Sequence, residues 1–67
     1  MKYTVEIEQE DVRWIAEVTD LPGVLAYGQT AKEAQAKVQA LALRVIAERL
    51  ENGDTSPELL SISFAAA

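Results

Sequence analysis

The sequence predicts a small α+β domain in which one long helix packs on one face of a four-stranded mixed sheet. Three observations lead to this prediction. Residues 30–52 have the composition and periodicity of a single amphipathic helix, the segments on either side of it read as strands, and the chain of 67 residues has the length of one domain. We therefore expect residues 1–67 to form one two-layer domain with the element order β-β-β-α-β.

Both ends of the predicted helix carry recognisable signals. Thr30 is a favourable N-cap, and Glu33 follows at the capping-box spacing, at which each side chain reaches the backbone N–H of the other residue. Neither Pro nor Gly interrupts the segment before Gly53, and its interior is rich in strong helix formers. The pair Asn52–Gly53 is typical of a left-handed helix end, so we expect the helix to stop there.

The helix carries two apolar stripes rather than one. At about 100° per residue, the stripe expected to face the sheet contains Ala34, Val38, Leu41, Ala42 and Val45, with Ile46 at its margin. The opposite stripe consists of Ala36, Ala40, Leu43, Ala47 and Leu50. Two interpretations of this second stripe stay open: its alanines are simply good helix formers beside a stray Leu43, or the stripe is buried by self-association.

Two segments before the helix alternate between apolar and polar residues, as half-buried strands do. They are residues 2–8 and 13–19, joined by a turn at 9–12. We expect the helix to cover the apolar face of this hairpin, which carries Tyr3, Val5, Ile7, Trp14, Ala16 and Val18. The other face carries three carboxylates, one cation that is available to pair with a carboxylate, and one apolar residue: Glu6, Glu8, Glu17, Arg13 and Ile15.

A third strand is predicted at residues 24–28, after a Pro-Gly turn. Its facing is ambiguous because both alternating sets of side chains are apolar. We place Val24 and Ala26 toward the helix, since small residues suit a strand that a helix crosses closely. This choice leaves Leu25 and Tyr27 on the face away from the helix, although the opposite facing also fits the pattern.

The fourth strand is predicted at residues 59–64, after a loop at 54–58, and residues 65–67 are expected to form a frayed tail. Its inward residues are expected to be Leu60, Ile62 and Phe64. The helix carries the chain back over the sheet, so the fourth strand runs parallel to the third and can lie beside the first. The predicted strand order is 3-2-1-4, with the helix on one face of the sheet and the other face open.

The composition excludes several kinds of site. The chain has no His and no Cys, which removes thiolate metal sites and most zinc sites. Its formal net charge of −5 argues against a nucleic-acid-binding surface and permits a basic protein partner, although acidity that only keeps the protein in solution fits equally. We recognise no signal peptide and no membrane span, so we expect a cytoplasmic protein without cofactors. A domain this small, lacking disulfides and metals, gains stability by oligomerisation, so we expect a homodimer or tetramer.

The carboxylates of the hairpin raise one catalytic alternative. Glu6, Glu8 and Glu17 lie on one face of neighbouring strands, where they could hold Mg²⁺ weakly, as the carboxylates of metal-dependent nucleases do. A solvated polar face explains them better, because glutamates at alternate strand positions are ordinary. The chain also has no His to act as a general base and no phosphate-binding Gly loop. We therefore expect no enzymatic activity and no metal site.

A series of short motifs runs from the second strand into the helix. The segments are Trp-Ile-Ala-Glu-Val at 14–18, Asp-Leu-Pro-Gly-Val at 20–24, Gly-Gln-Thr at 28–30 and Glu-Ala at 33–34. With this arrangement the sequence resembles the HicB family of antitoxins, and the resemblance covers essentially the whole chain. The residues of the structural motif are Asp20, Leu21, Pro22, Gly23, Gly28, Thr30 and Glu33.

The resemblance implies a degraded RNase H-like fold in a prokaryotic toxin–antitoxin system. HicB antitoxins bind HicA toxins, which are small basic ribonucleases that cleave mRNA with a catalytic His, and neutralise them by contact alone. Many members add a C-terminal domain that binds operator DNA, whereas this sequence stops at Ala67, so we expect no such domain and no direct nucleic-acid contact. A second hypothesis stays open, that of a free-standing homo-oligomeric HicB-like domain without a toxin partner, binding some other ligand.

If a toxin is bound, we expect its basic surface to meet the acidic face of the sheet. Opposite charge speeds the encounter, and apolar neighbours of the carboxylates supply buried area. The candidate partner-binding residues are Glu6, Glu8, Ile15, Glu17, Leu25 and Tyr27. The helix stripe around Leu43 is the competing site.

Overall fold

The computed structural model describes residues 2–54 and 62–66. Its elements are β1 (Lys2–Glu10), β2 (Arg13–Val18), β3 (Leu25–Gly28), α1 (Ala31–Glu51) and β4 (Ser63–Ala66). The four strands form one sheet in the order β3-β2-β1-β4. The pairs β1–β2 and β2–β3 are antiparallel, and β4 runs parallel to β1. The predicted α+β layout and strand order are confirmed.

The hairpin between β1 and β2 turns in two residues. Glu10 pairs with Arg13, so only Asp11 and Val12 form the loop, and Asp11 adopts a positive φ of 56°. Asp tolerates this left-handed conformation better than most residues, which allows a tight turn here without a glycine. The predicted turn at 9–12 was therefore too long, because Gln9 and the residue after it still belong to β1.

The chain then passes through a tight turn that connects β2 to β3. The carbonyl of Leu21 accepts a hydrogen bond from the Val24 N–H at 3.2 Å, and Gly23 between them has φ +80°. Pro followed by a left-handed Gly is the pattern of a type II turn. The Leu21 side chain is buried in the core, so the turn also closes one end of the sheet.

Asp20 acts at the same corner through its side chain. Its Oδ2 accepts a hydrogen bond from the Thr4 N–H at 2.8 Å, beside the bond from the Thr19 N–H to the Thr4 carbonyl at 3.2 Å. The carboxylate thus continues the β1–β2 ladder past the last residue of β2. Asp20 is one of the motif residues, and its bond to Thr4 gives this side chain a structural role.

The N-terminus of α1 is capped as predicted, although by half of a capping box. Thr30 is extended, with φ −131° and ψ 159°, and its Oγ1 accepts a hydrogen bond from the Glu33 N–H at 3.0 Å. The Glu33 carboxylate, expected to return a bond to the Thr30 N–H, instead pairs with Lys37 Nζ at 3.0 Å, one helical turn further along. A cation at this spacing competes successfully for the carboxylate.

The C-terminus of α1 ends in two backbone hydrogen bonds. Gly53 has φ +91°, and its N–H donates to the Leu50 carbonyl at 3.1 Å, while the Asp54 N–H donates to the Arg49 carbonyl at 2.9 Å. This is the Schellman pattern, which satisfies carbonyls that the helix itself leaves unpaired. The left-handed residue is Gly53 alone, since Asn52 keeps φ −87°.

One face of the sheet and one stripe of α1 form the core. The buried helix residues follow a single row at intervals of four: Ala34, Val38, Ala42 and Ile46. Ile46 therefore lies within the contact rather than at its margin, and Leu41 and Val45 pack at the side of it. The sheet and its connections contribute Tyr3, Val5, Ala16, Val18, Leu21 and Val24.

The helix lies close to the backbone of β3 at Gly28. A Cβ at this position would lie 2.6 Å from the backbone nitrogen of Ala34, so the contact excludes any side chain. The facing chosen for the third strand is confirmed, because Val24 is buried and Ala26 packs against the core, whereas Leu25 and Tyr27 are 38% and 40% exposed.

The fourth strand lies later in the chain than predicted. Ala65 and Ala66, expected in a frayed tail, pair with Thr4 and Val5 of β1. These two residues pair with the backbone edge of β1 that β2 leaves free. Local side-chain preferences do not predict this pairing, because the two segments are far apart in sequence. Ile62 and Phe64 pack against the core as predicted, and the Phe64 ring lies 5.8 Å from that of Tyr3. The expected strand residues 59–61, including Leu60, lie outside the described residues.

Candidate partner-binding face

The sheet face turned away from α1, which we call the outer face, gathers every predicted partner-binding residue. Strand pairing sets their neighbours: Glu6 lies opposite Glu17, and Glu8 lies opposite Ile15. Across the next strand pair, Ile15 lies opposite Tyr27, and Glu17 lies opposite Leu25. The outer face therefore has a carboxylate side over β1 and β2 and an apolar side over β2 and β3.

The carboxylates of the outer face occupy neighbouring positions on β1 and β2. Side chains directly opposite each other in an antiparallel pair are about 5 Å apart at Cβ, where like charges destabilise the sheet. Glu6 and Glu17 occupy such a pair. In the part of the chain that the structure describes, neither these two nor Glu8 takes part in an ion pair. The face therefore presents negative charge that is available to a partner.

A concavity of about 270 Å³ lies among these residues, and it is lined by Glu6, Ile7, Glu8, Ile15 and Glu17. Four of the five lining residues belong to the predicted partner-binding set. Ile7 was missed, because strict alternation along β1 assigns it to the helix-facing side. Its only signal in the sequence is its place between two glutamates of the site. The concavity thus combines three carboxylates with Ile15, and the Ile7 side chain packs against the core.

Arg13 is a cation of the outer face and lies at its hairpin end, whereas Lys2 lies on the same face at the other end of β1. Its Nη2 lies 3.4 Å from Glu10 Oε1, and its guanidinium carbon lies 4.1 Å from the centre of the Tyr27 ring. Stacking on the ring and pairing with Glu10 both favour this position. The sequence analysis allowed an ion pair between Arg13 and a carboxylate of the outer face. In the structure Arg13 pairs with Glu10, and not with Glu6, Glu8 or Glu17.

The back of α1 forms a second exposed surface, made of Ala36, Ala40, Leu43, Ala47 and Leu50. Leu43 is 51% exposed and Leu50 is 36% exposed, so the stripe faces away from the sheet as predicted. Lys37 and Glu33 pair beside it. The hydrogen bond and the positive charge of Lys37 lower the pKa of the Glu33 carboxyl.

Neither surface forms a metal centre from the residues that the structure describes. Within residues 2–54 and 62–66, no three or more carboxylates are grouped so that they could hold a metal ion. Glu6, Glu8 and Glu17 share a face but do not form such a group. Nor does the described chain contain a helix with both the length and the apolar character needed to cross a bilayer.

Comparison with known proteins adds no relative. No protein-family model, no curated protein and no solved structure gives a significant match to this chain.

Proposed function

We propose that the protein is a HicB-like antitoxin whose outer face binds a small, basic, mRNA-cleaving toxin of the HicA type and neutralises it by contact. The observation that carries the proposal is the group formed by Glu6, Glu8 and Glu17 around a concavity, without a paired cation in the described chain. An RNA-cleaving toxin needs a basic surface for its substrate. An acidic, concave surface of matching character would cover it.

The apolar side of the outer face supports the same proposal. Leu25 and Tyr27 expose more than a third of their surface next to the carboxylates, and Ile15 connects the two sides. Aromatic and aliphatic anchors beside charged residues are the usual composition of an interface, in which a few such side chains carry most of the binding energy. The glutamates would then speed association and orient the toxin, while Tyr27 and Leu25 would slow its release.

The motif residues behind the resemblance have structural roles that suit a scaffold rather than a catalyst. Gly23 forms the left-handed position of a turn, Gly28 lets α1 approach the sheet, and Thr30 caps α1. Asp20 binds the backbone of β1. In this proposal the protein performs no reaction of its own, and its function is to hold the outer face in a fixed shape.

The proposal is tested by charge reversal on two surfaces. In Glu6→Lys/Glu17→Lys, association with a HicA-type toxin should slow about ten-fold or more at low salt, and the rate should depend less on salt concentration. Glu48→Lys/Glu51→Lys changes the net charge equally on the exposed end of α1, and is the matched control. Stopped-flow or surface-based kinetics would measure both. Equal slowing in the two variants would contradict a site on the outer face.

A second candidate function is a homo-oligomeric domain without a toxin, and the half-exposed Leu43 favours it. Alanines at 36, 40 and 47 surround Leu43 and allow another backbone to approach closely. Light scattering of the wild type and of Leu43→Asp tests this interface, because an oligomer would bury an unpaired charge at that position. A wild type that is monomeric at high micromolar concentration would exclude it. An oligomer that Leu43→Asp leaves intact would move the interface elsewhere.

A further inference from the structure

The end of α1 carries a reactive pair of residues that the proposed function does not use. Asn52 is the one asparagine of the sequence, and glycine follows it. Asn52 and Gly53 are both exposed at the C-terminus of the helix. An exposed asparagine before a glycine is chemically reactive, because a residue without a side chain leaves the following backbone nitrogen unhindered.

We infer that Asn52 is a site of spontaneous deamidation, and that the folded helix end slows this reaction. In the reaction, the Gly53 backbone nitrogen loses its proton and attacks Cγ of Asn52. A C–N bond forms, ammonia leaves with the proton, and a five-membered succinimide results. Water then opens the ring at either carbonyl, giving aspartate or isoaspartate at position 52. Water is the only co-reactant.

Two features of the helix end oppose ring closure. Asn52 has ψ 12°, which places the Gly53 nitrogen nearly eclipsed with the backbone nitrogen of Asn52 and therefore turned away from its side chain. The N–H that must lose its proton is donated to the Leu50 carbonyl at 3.1 Å. Attack thus requires the last turn to open first, so the rate follows the local opening of the helix end.

The product cannot restore the original helix end. Either product adds a negative charge at the C-terminus of α1, where the helix dipole already disfavours one. Isoaspartate also lengthens the main chain by one methylene. That change displaces the N–H groups of Gly53 and Asp54 from the carbonyls of Leu50 and Arg49. The modification is therefore a one-way change that loosens the end of α1.

The experiment compares the full-length protein in native buffer and in denaturant, at the same mildly alkaline pH and temperature. Mass spectrometry follows the gain of about one dalton that accompanies loss of the amide. We expect conversion confined to the peptide that contains Asn52, and about ten-fold or more slower in native buffer, since the helix end must open first. Asn52→Gln, whose side chain would have to close a larger ring, is the control and should stay unmodified.

Each outcome decides a part of the inference. Failure of the denatured chain to convert would show that Asn52 is not a modification site. Equal rates in native buffer and denaturant would show that the helix end does not protect it. The purified product should melt at a lower temperature than the parent protein, whereas an unchanged melting temperature would contradict the predicted loosening of α1.

Discussion

The two stripes of α1 are built from similar residues and have opposite surroundings. Val38 lies at the centre of the inner stripe and is fully buried, whereas Leu43 on the back is 51% exposed. Both stripes combine alanines with a few branched side chains, so hydrophobicity does not distinguish them. What distinguishes them is the sheet, which covers the inner stripe. Apolar character predicts that a surface can be buried, and the fold decides which of two such surfaces is buried within the chain.

The largest expected effect comes from making one substitution on both stripes. Val38→Asp places an unpaired charge at a fully buried position and should cost more than about 4 kcal/mol, enough to unfold a domain of this size. Leu43→Asp should change the stability of the monomer by no more than about 0.5 kcal/mol. Circular dichroism during thermal melting, at a concentration where the protein is monomeric, measures both. Similar losses in the two variants would show that the back of α1 is as buried in the monomer as its inner stripe.

A smaller effect is expected where α1 meets β3. Gly28→Ala forces a Cβ to within 2.6 Å of the Ala34 nitrogen, and should destabilise the protein by about 1–3 kcal/mol through displacement of α1. Gly23→Ala meets no atom within 4 Å and is limited to the strain of its positive φ, roughly 1 kcal/mol. Urea unfolding of the two variants compares a steric cost with a conformational one. A tolerated Gly28→Ala would mean that the close crossing is not needed.

On the outer face we expect a substitution that stabilises. Glu17→Lys replaces a like-charge pair with an opposite-charge pair against Glu6, and should increase stability by about 0.2–1 kcal/mol. The same variant should bind a basic toxin more weakly, because it removes charge from the binding surface. Chemical denaturation measures the predicted gain in stability, and binding kinetics on the same preparation measure the predicted loss of affinity for the toxin. A variant that is less stable would show that the carboxylates of the outer face do not repel each other.

The smallest effect concerns pH at the side of α1. Lys37 lowers the pKa of Glu33 below its ordinary value of 4.5, so the pair stabilises the folded state fully above that value. This contribution is lost as the pH falls through the lowered pKa of the folded state. Lys37→Met should remove that part of the acid dependence and lower stability at pH 7 by the same amount, which is small because the pair is exposed. Melting temperatures measured from pH 7 down to acid pH test this prediction, with Lys32→Met as the control.

Alternation along the chain was sufficient to predict which side of each early strand faces the helix. In β1 and β2 apolar and polar residues alternate except at Ile15, so Glu6 and Glu17 were placed on one face correctly. Thr30 and Gly53 marked the helix ends because capping depends on residues close in sequence. These local rules accounted for most of the fold and for four of the five residues that line the concavity.

Other features depend on residues that are distant in sequence, and local rules could not supply them. The pairing of Ala65 with Thr4 is a property of the free edge of β1. The bond from the Thr4 N–H to Asp20 lies on the other side of β1, where it extends the pairing with β2. Ile7 packs against the core as its alternation predicts, and its place among the residues lining the concavity was not predicted. Arg13 forms an ion pair with Glu10, and not with Glu6, Glu8 or Glu17, because the tight hairpin places Glu10 opposite it.

The parallel pairing of β1 with β4 has a consequence for how the protein is made. Lys2 pairs with Ser63, so two of the most distant parts of the chain meet in one sheet. During synthesis, β1, β2, β3 and α1 emerge in order and can assemble from neighbouring segments. The last strand position beside β1 stays empty until residue 66 has left the ribosome. Closing so long a loop is the slow kind of step in folding. Until then the growing chain exposes an unpaired strand edge, which a second nascent chain can also bind.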